Sequence, residues 1–164
     1  MMWLLRSSPL DVRALFWSKY WVGTVPLLVV ALPLIVVTNI VLEASPFILT
    51  LTTITMIGIT FALTSLVLGL SALYPNYETE NVAEIPTSFG GLLFMMSAVM
   101  YLAGVIVLEA WPVYLFLQSR FQGGSAQVSS IPLVLGVSGA LLLTILATWL
   151  PLRAGMRKVR SIDF

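Results

Sequence analysis

Four long apolar runs set the limits on what this chain can fold into. Each is about as long as the 20 or so residues a helix needs to cross a hydrocarbon core roughly 30 Å thick. A backbone in lipid has no water to bond, so a spanning segment must close its hydrogen bonds within a helix or a barrel. Barrel strands need only about 10 alternating residues, and these runs are longer and apolar on every face, which selects helices. Between the second and third runs lies Tyr74 to Gly91, YPNYETENVAEIPTSFGG. It holds Glu78, Glu80 and Glu84, no basic residue, Pro75 and Pro86, and a Gly90-Gly91 pair that opens the next run. Such a stretch cannot sit in lipid, so it is a water-facing connection between two pairs of spans. With 59% hydrophobic and 9% charged residues, a soluble fold of 164 residues could not cover itself with polar surface. The expected fold is all-α, a polytopic membrane protein of four transmembrane helices preceded by a short cytoplasmic interfacial helix.

Residue types missing from the chain narrow the chemistry. There is no cysteine and no histidine, hence no disulfide, no thiol nucleophile and neither the commonest metal ligand nor the commonest general base. An intramembrane enzyme is weakly supported, because its best acid, Glu109, has no histidine, cysteine or second intramembrane carboxylate to work with. No catalytic, cofactor or metal site is expected, and no nucleic-acid partner.

At the amino terminus, Ser8 can cap a helix with Pro9 at its first position and Asp11 three residues beyond the cap. Leu10, Ala14, Trp17 and Trp21 then fall on one apolar stripe, with Asp11, Ser18 and Lys19 away from it and Arg13 flanking it. Residues 1–21 therefore read either as an amphipathic interfacial helix or as an aromatic and basic anchor before a span. The first span is expected over 22–42, with Pro26 and Pro33 kinking it and calling for packed neighbours. Asn39 and Glu43 fall at its far end, where water is expected to reach them. After a tight Glu43-Ala44-Ser45-Pro46 loop, the second span covers 47–74. Thr55, Gly58, Ala62, Ser65, Gly69 and Ala72 form a small-residue stripe along it, which suits a seam where another helix backbone approaches, or a hydrophilic lining. The third span covers 90–117, with Met95, Met96 and Met100 as gap fillers and Glu109 near an aromatic belt of Trp111 and Tyr114, where solvation is expected. A Gly/Ser-rich loop, 118–130, leads to the fourth span over 131–152, which has its own small stripe of Gly136, Ala140, Thr144 and Ala147. A basic tail, 153–164, ends the chain.

Orientation follows from the lysines and arginines. Arg6, Arg13 and Lys19 precede the first span, Arg153, Arg157, Lys158 and Arg160 close the fourth, and Arg120 alone lies on the other side. The positive-inside rule then predicts both termini and the acidic connection 75–89 in the cytoplasm of an inner-membrane protein.

Two stretches carry a family resemblance. LLRSSPLDVRALFWSKYW, residues 4–21, resembles the cytoplasmic coupling segment of type-2 ATP-binding-cassette exporter permeases, with Leu5, Ser8, Pro9, Arg13 and Lys19 at matching positions. LGLSALYPNYETENVAEIPTSFGGLLFMM, residues 68–96, is similar to a signature of a prokaryotic exporter subfamily. Leu73, Tyr74, Pro75, Glu80, Asn81, Ala83, Ser88, Phe89, Gly90 and Gly91 fit it, while Val82 stands where that signature has proline and Pro86 where it has a small residue. The resemblance implies the C-terminal portion of a permease of at least six spans, so two further spans are expected ahead of this segment. It also implies a dimer of complete permeases and a separate cytoplasmic ATP-binding subunit, since this sequence lacks a G-x-x-x-x-G-K-[ST] phosphate loop. Leu5, Ser8, Pro9, Asp11, Arg13 and Lys19 become the candidate coupling contacts, with Glu78, Glu80, Asn81 and Glu84 as a second contact. The rival expectation is a free-standing four-helix scaffolding, assembly or immunity protein.

Overall fold

The computed structural model describes residues 12–74, 89–121 and 130–160. Within them lie four helices: α1 (Val12–Val41), α2 (Pro46–Leu73), α3 (Phe89–Phe121) and α4 (Ser130–Arg160). All four are long and apolar enough to cross a membrane. Their ends overrun the apolar runs. α3 continues past 117 to Phe121, and α4 continues past 152 through the basic residues to Arg160. Hydropathy marks where lipid ends, whereas a helix goes on until its backbone bonds run out, and neither Arg153 nor Arg157 interrupts them.

Residues 12–21 and 22–41 form one continuous helix, so from Val12 onward the start of the chain and the first span are one element, and residues 1–11 lie outside the described residues. The apolar stripe read from the sequence is not the face that packs within the bundle. Ala14, Trp17 and Trp21 are exposed, while Phe16, Tyr20 and Thr24, one turn apart, are buried. Spacing of apolar residues could not choose between the two faces, since in lipid the outward face is apolar too.

Local chemistry explains the α1–α2 hairpin. Ser45 is the N-cap of α2, accepting a hydrogen bond from the Ile48 amide at 3.5 Å, and Pro46 occupies the first turn where its missing N–H costs nothing. The last turn of α1 is closed by the Ala44 amide on the Asn39 carbonyl at 3.0 Å, with Glu43 at φ 49°. A left-handed conformation strains any residue with a Cβ, by about 1–2 kcal/mol. Glu43→Gly should therefore raise stability by about 0.5–1 kcal/mol, once the added freedom of glycine in the unfolded chain is subtracted. Thermal unfolding in detergent checks this, with Glu43→Ala as the control that keeps the strain; a midpoint lowered by glycine would contradict it.

α2 is the centre of the bundle. It packs on α1, α3 and α4, most extensively on α4, whereas α1 and α3 do not meet among the described residues. Consecutive helices run antiparallel, so α2 and α4 run parallel, with Gly58 facing Thr144 and Gly69 facing Pro151. One buried cluster joins Ala62 and Leu66 of α2 to Tyr101 and Val105 of α3, and a second joins Phe16 and Tyr20 of α1 to Leu152 of α4.

Candidate functional site

Two features could serve a function: the end of the bundle where α1 begins and α4 finishes, and the polar contacts between helices inside it.

At that end, Phe16 and Tyr20 pack with Leu152, and with Phe61, Leu68, Ala72 and Met156 around them. The contact brings the first turns of α1 beside the last turns of α4, and with them Lys19, Arg153, Arg157 and Lys158, all exposed. The Arg153 guanidinium lies 4.6 Å from the centre of the Trp149 ring, a cation–π contact that holds the charge beside an interfacial aromatic. Tyr74 and Phe89, which bracket the acidic connection, meet edge to face at 5.2 Å. This draws the two ends of 75–88 together at the same pole of the bundle. Among the described residues this pole is thus a basic, aromatic-edged surface built from three separated stretches of sequence.

Of the expected coupling residues, Leu5, Ser8, Pro9 and Asp11 lie outside the described residues, as do Glu78, Glu80, Asn81 and Glu84. Arg13 falls in the first turn of α1, and Lys19 is exposed nearly two turns further on.

The small residues of α2 do not face one helix, as a single stripe suggests, but three. Gly58 meets Thr144 of α4, Ala62 sits in the cluster with α3, Ser65 lies against Tyr20 of α1, and Gly69 lies against the Pro151 backbone of α4. Ala72 borders the α1–α4 contact. A central helix of a four-helix bundle has neighbours on several sides, so a stripe only one residue wide is shared among them. On α4, Gly136 lies against Pro112 and the Leu108 carbonyl of α3, and Thr144 accepts a hydrogen bond at 3.0 Å from the Tyr101 hydroxyl, its own proton going to the Ala140 carbonyl.

Buried polar side-chain atoms of the described residues are satisfied within the bundle. Thr24 is fully buried, donating to the Tyr20 carbonyl at 2.7 Å, and its oxygen lies 3.2 Å from the Thr64 hydroxyl of α2. Ser65, also fully buried, donates to the Phe61 carbonyl at 2.6 Å. Two residues expected in water hydrogen-bond to a neighbouring helix. Asn39 is 5% exposed, its amide donating to the Ile35 carbonyl at 2.8 Å and to Thr52 of α2 at 3.1 Å. Glu109 is partly buried and its Oε1 accepts a hydrogen bond from the Thr55 hydroxyl of α2. In both cases a hydroxyl of the neighbouring helix replaces the water, and only the register of α2 against α1 and α3 reveals it.

The described residues contain no cluster of acids suited to a metal. What the arrangement defines is a polytopic helical membrane protein with a basic pole and internally bonded polar interfaces.

Its affiliation is equally definite. Residues 1–164 match the family described as "Putative ATP-binding cassette", and the chain belongs to that family. It is thereby linked to the ATP-binding-cassette transporters. No curated protein and no solved structure is significantly similar to it.

Proposed function

We propose that this chain is the membrane-spanning permease component of an ATP-binding-cassette exporter, energised by a separate cytoplasmic ATP-binding subunit. The observation that carries this reading is a mismatch between family and chain. The chain matches an ATP-binding-cassette family along its whole length, yet its described residues form four apolar helices and the sequence has no phosphate-binding loop. A member built this way supplies the membrane path and leaves nucleotide hydrolysis to a partner. The pole formed by the start of α1 and the end of α4 would face that partner in the cytoplasm, and complete permeases would work as dimers. The α1 start is suited to transmit a push, because residues 12–41 are one continuous helix that meets α2 and α4 through Phe16, Tyr20 and Thr24. A displacement at Arg13 would tilt the helix and move both neighbours.

The test is coupling in membranes that contain the chain and its ATPase. Pro9→Gly, which frees the backbone ahead of α1, and Arg13→Glu, which reverses a charge suited to an acidic ATPase surface, should reduce transport-stimulated hydrolysis about tenfold. That factor corresponds to roughly 1.4 kcal/mol of lost contact. Protein abundance should stay unchanged, and Arg120→Glu at the opposite end should leave coupling intact. If no ATP-hydrolysing subunit purifies with the chain, or both variants couple normally, the permease reading fails and a free-standing membrane scaffold takes its place.

A further inference from the structure

Glu109 is the carboxyl that the apolar middle of the described helices contains. α2 is 28 residues long and α3 is 33. Only the central 20 or so residues of helices this long fit a hydrocarbon core about 30 Å thick. Thr55 and Glu109 both fall inside that central part, in the half nearer Trp111.

The behaviour of Thr55 sets the pair apart. Thr50, Thr52, Thr53, Thr60 and Thr64 of the same helix each return the hydroxyl to a carbonyl four residues earlier. Thr55 instead donates across the helix interface to Glu109 Oε1. The second carboxyl oxygen has no hydrogen-bond partner among the described residues, and the side chain is only partly buried.

Among the described side chains no charge faces this group to neutralise it. The sequence of α2 from Pro46 to Leu73 contains no titratable residue, nor does α4 before Arg153. On α3 itself, Tyr101 lies about two turns toward the middle of the bundle, Tyr114 is nearer the other end, and Arg120 is at the end of the helix. α1 does not touch α3 among the described residues, and Glu43 sits beyond its end in the hairpin. A carboxylate with one hydroxyl donor and no counter-ion is costly in lipid, and such residues mark ion or proton sites. One carboxyl and one hydroxyl are too few oxygens for a metal ion.

We propose that Glu109, oriented by Thr55, is a proton-binding carboxyl in the membrane interior that reacts with lipid-soluble carbodiimides. The neutral acid leaves Thr55 donating to the carbonyl oxygen while the hydroxyl side points to the open face. In the reaction the carboxyl proton passes to a carbodiimide nitrogen and the carboxyl oxygen adds to the central carbon. The resulting O-acylisourea rearranges to an N-acylurea, so the protein gains one whole reagent molecule and nothing leaves. The inference goes beyond the exporter reading and does not depend on it.

The experiment treats the wild-type chain in liposomes with dicyclohexylcarbodiimide over a pH series, and in parallel with a water-soluble carbodiimide plus glycine ethyl ester, and maps adducts by peptide mass. The expected result is preferential labelling of the fragment carrying Glu109 by the lipid-soluble reagent. On the alkaline limb the rate should fall about tenfold per pH unit, as the protonated fraction does. Thr55→Val should move the pH of half-maximal labelling, whereas Thr53→Val, whose hydroxyl serves its own helix, should not. Preference for the aqueous reagent, labelling of Glu43, Glu78, Glu80 or Glu84 in place of Glu109, a rate independent of pH, or an unmoved Thr55→Val profile would each overturn it.

Discussion

Gly69→Ala should lower the unfolding free energy of the bundle by about 3 kcal/mol, the upper end of the cost of overpacking an interior. A Cβ on Gly69 would stand 2.6 Å from both the carbonyl carbon and the Cβ of Pro151. Real Cβ atoms do not approach so closely, and the obstacle is backbone, which cannot turn aside as a side chain would. The approach is mutual, because a Cβ on Gly155 would lie 3.1 Å from the Gly69 Cα. α2 and α4 therefore cross backbone to backbone at this level, in the manner of small-residue contacts between membrane helices. Gly69→Leu should be worse. Ala62→Leu should also destabilise, since Ala62 is fully buried in the α2–α3 cluster, but there side chains such as Leu66 and Val105 can shift. Denaturation in mixed detergent micelles gives the ranking Gly69→Leu, Gly69→Ala, wild type. If both Gly69 variants melt with the parent, the α2–α4 crossing described here is wrong.

Gly136→Ala should cost about 2–3 kcal/mol, and here a second substitution identifies the cause. Pro112 lacks an N–H, so it leaves the Leu108 carbonyl without its usual partner four residues on. Gly136 of α4 packs into this gap, its added Cβ falling 2.7 Å from the Leu108 carbonyl oxygen and 2.9 Å from Pro112 Cδ. Removing the proline ring should make room, so Gly136→Ala ought to cost clearly less in a Pro112→Ala background. The expected coupling is roughly 1 kcal/mol in a double-mutant cycle. Strict additivity would mean that the two residues do not touch.

The number of spans was legible because it rests on local chemistry. A run of about 20 apolar residues must close its own hydrogen bonds in lipid wherever its neighbours lie. The α1–α2 hairpin was legible for the same reason, since Ser45 and Pro46 make the cap from adjacent residues. Family membership also agrees with the resemblance of residues 4–21 and 68–96 to the ATP-binding-cassette systems.

The pairings were not legible. Asn39 and Glu109 read as water-facing because each lies near an end of its apolar run, yet Thr52 and Thr55, three residues apart on α2, bond one of them each from neighbouring positions of that helix. The face of α1 that packs is Phe16, Tyr20 and Thr24, while the stripe of Ala14, Trp17 and Trp21 lies exposed. The small stripe of α2 proved to be divided among three neighbours. In water, burial of apolar surface would have told the inner face from the outer. In lipid both faces are apolar, and the choice passes to backbone fit and hydrogen bonds between helices. The sequence by itself therefore determined which segments are helices, how many cross the membrane and where one hairpin turns. Only the tertiary structure decided which side of each helix meets which partner, because that depends on the register between segments distant along the chain, and no residue encodes that register alone.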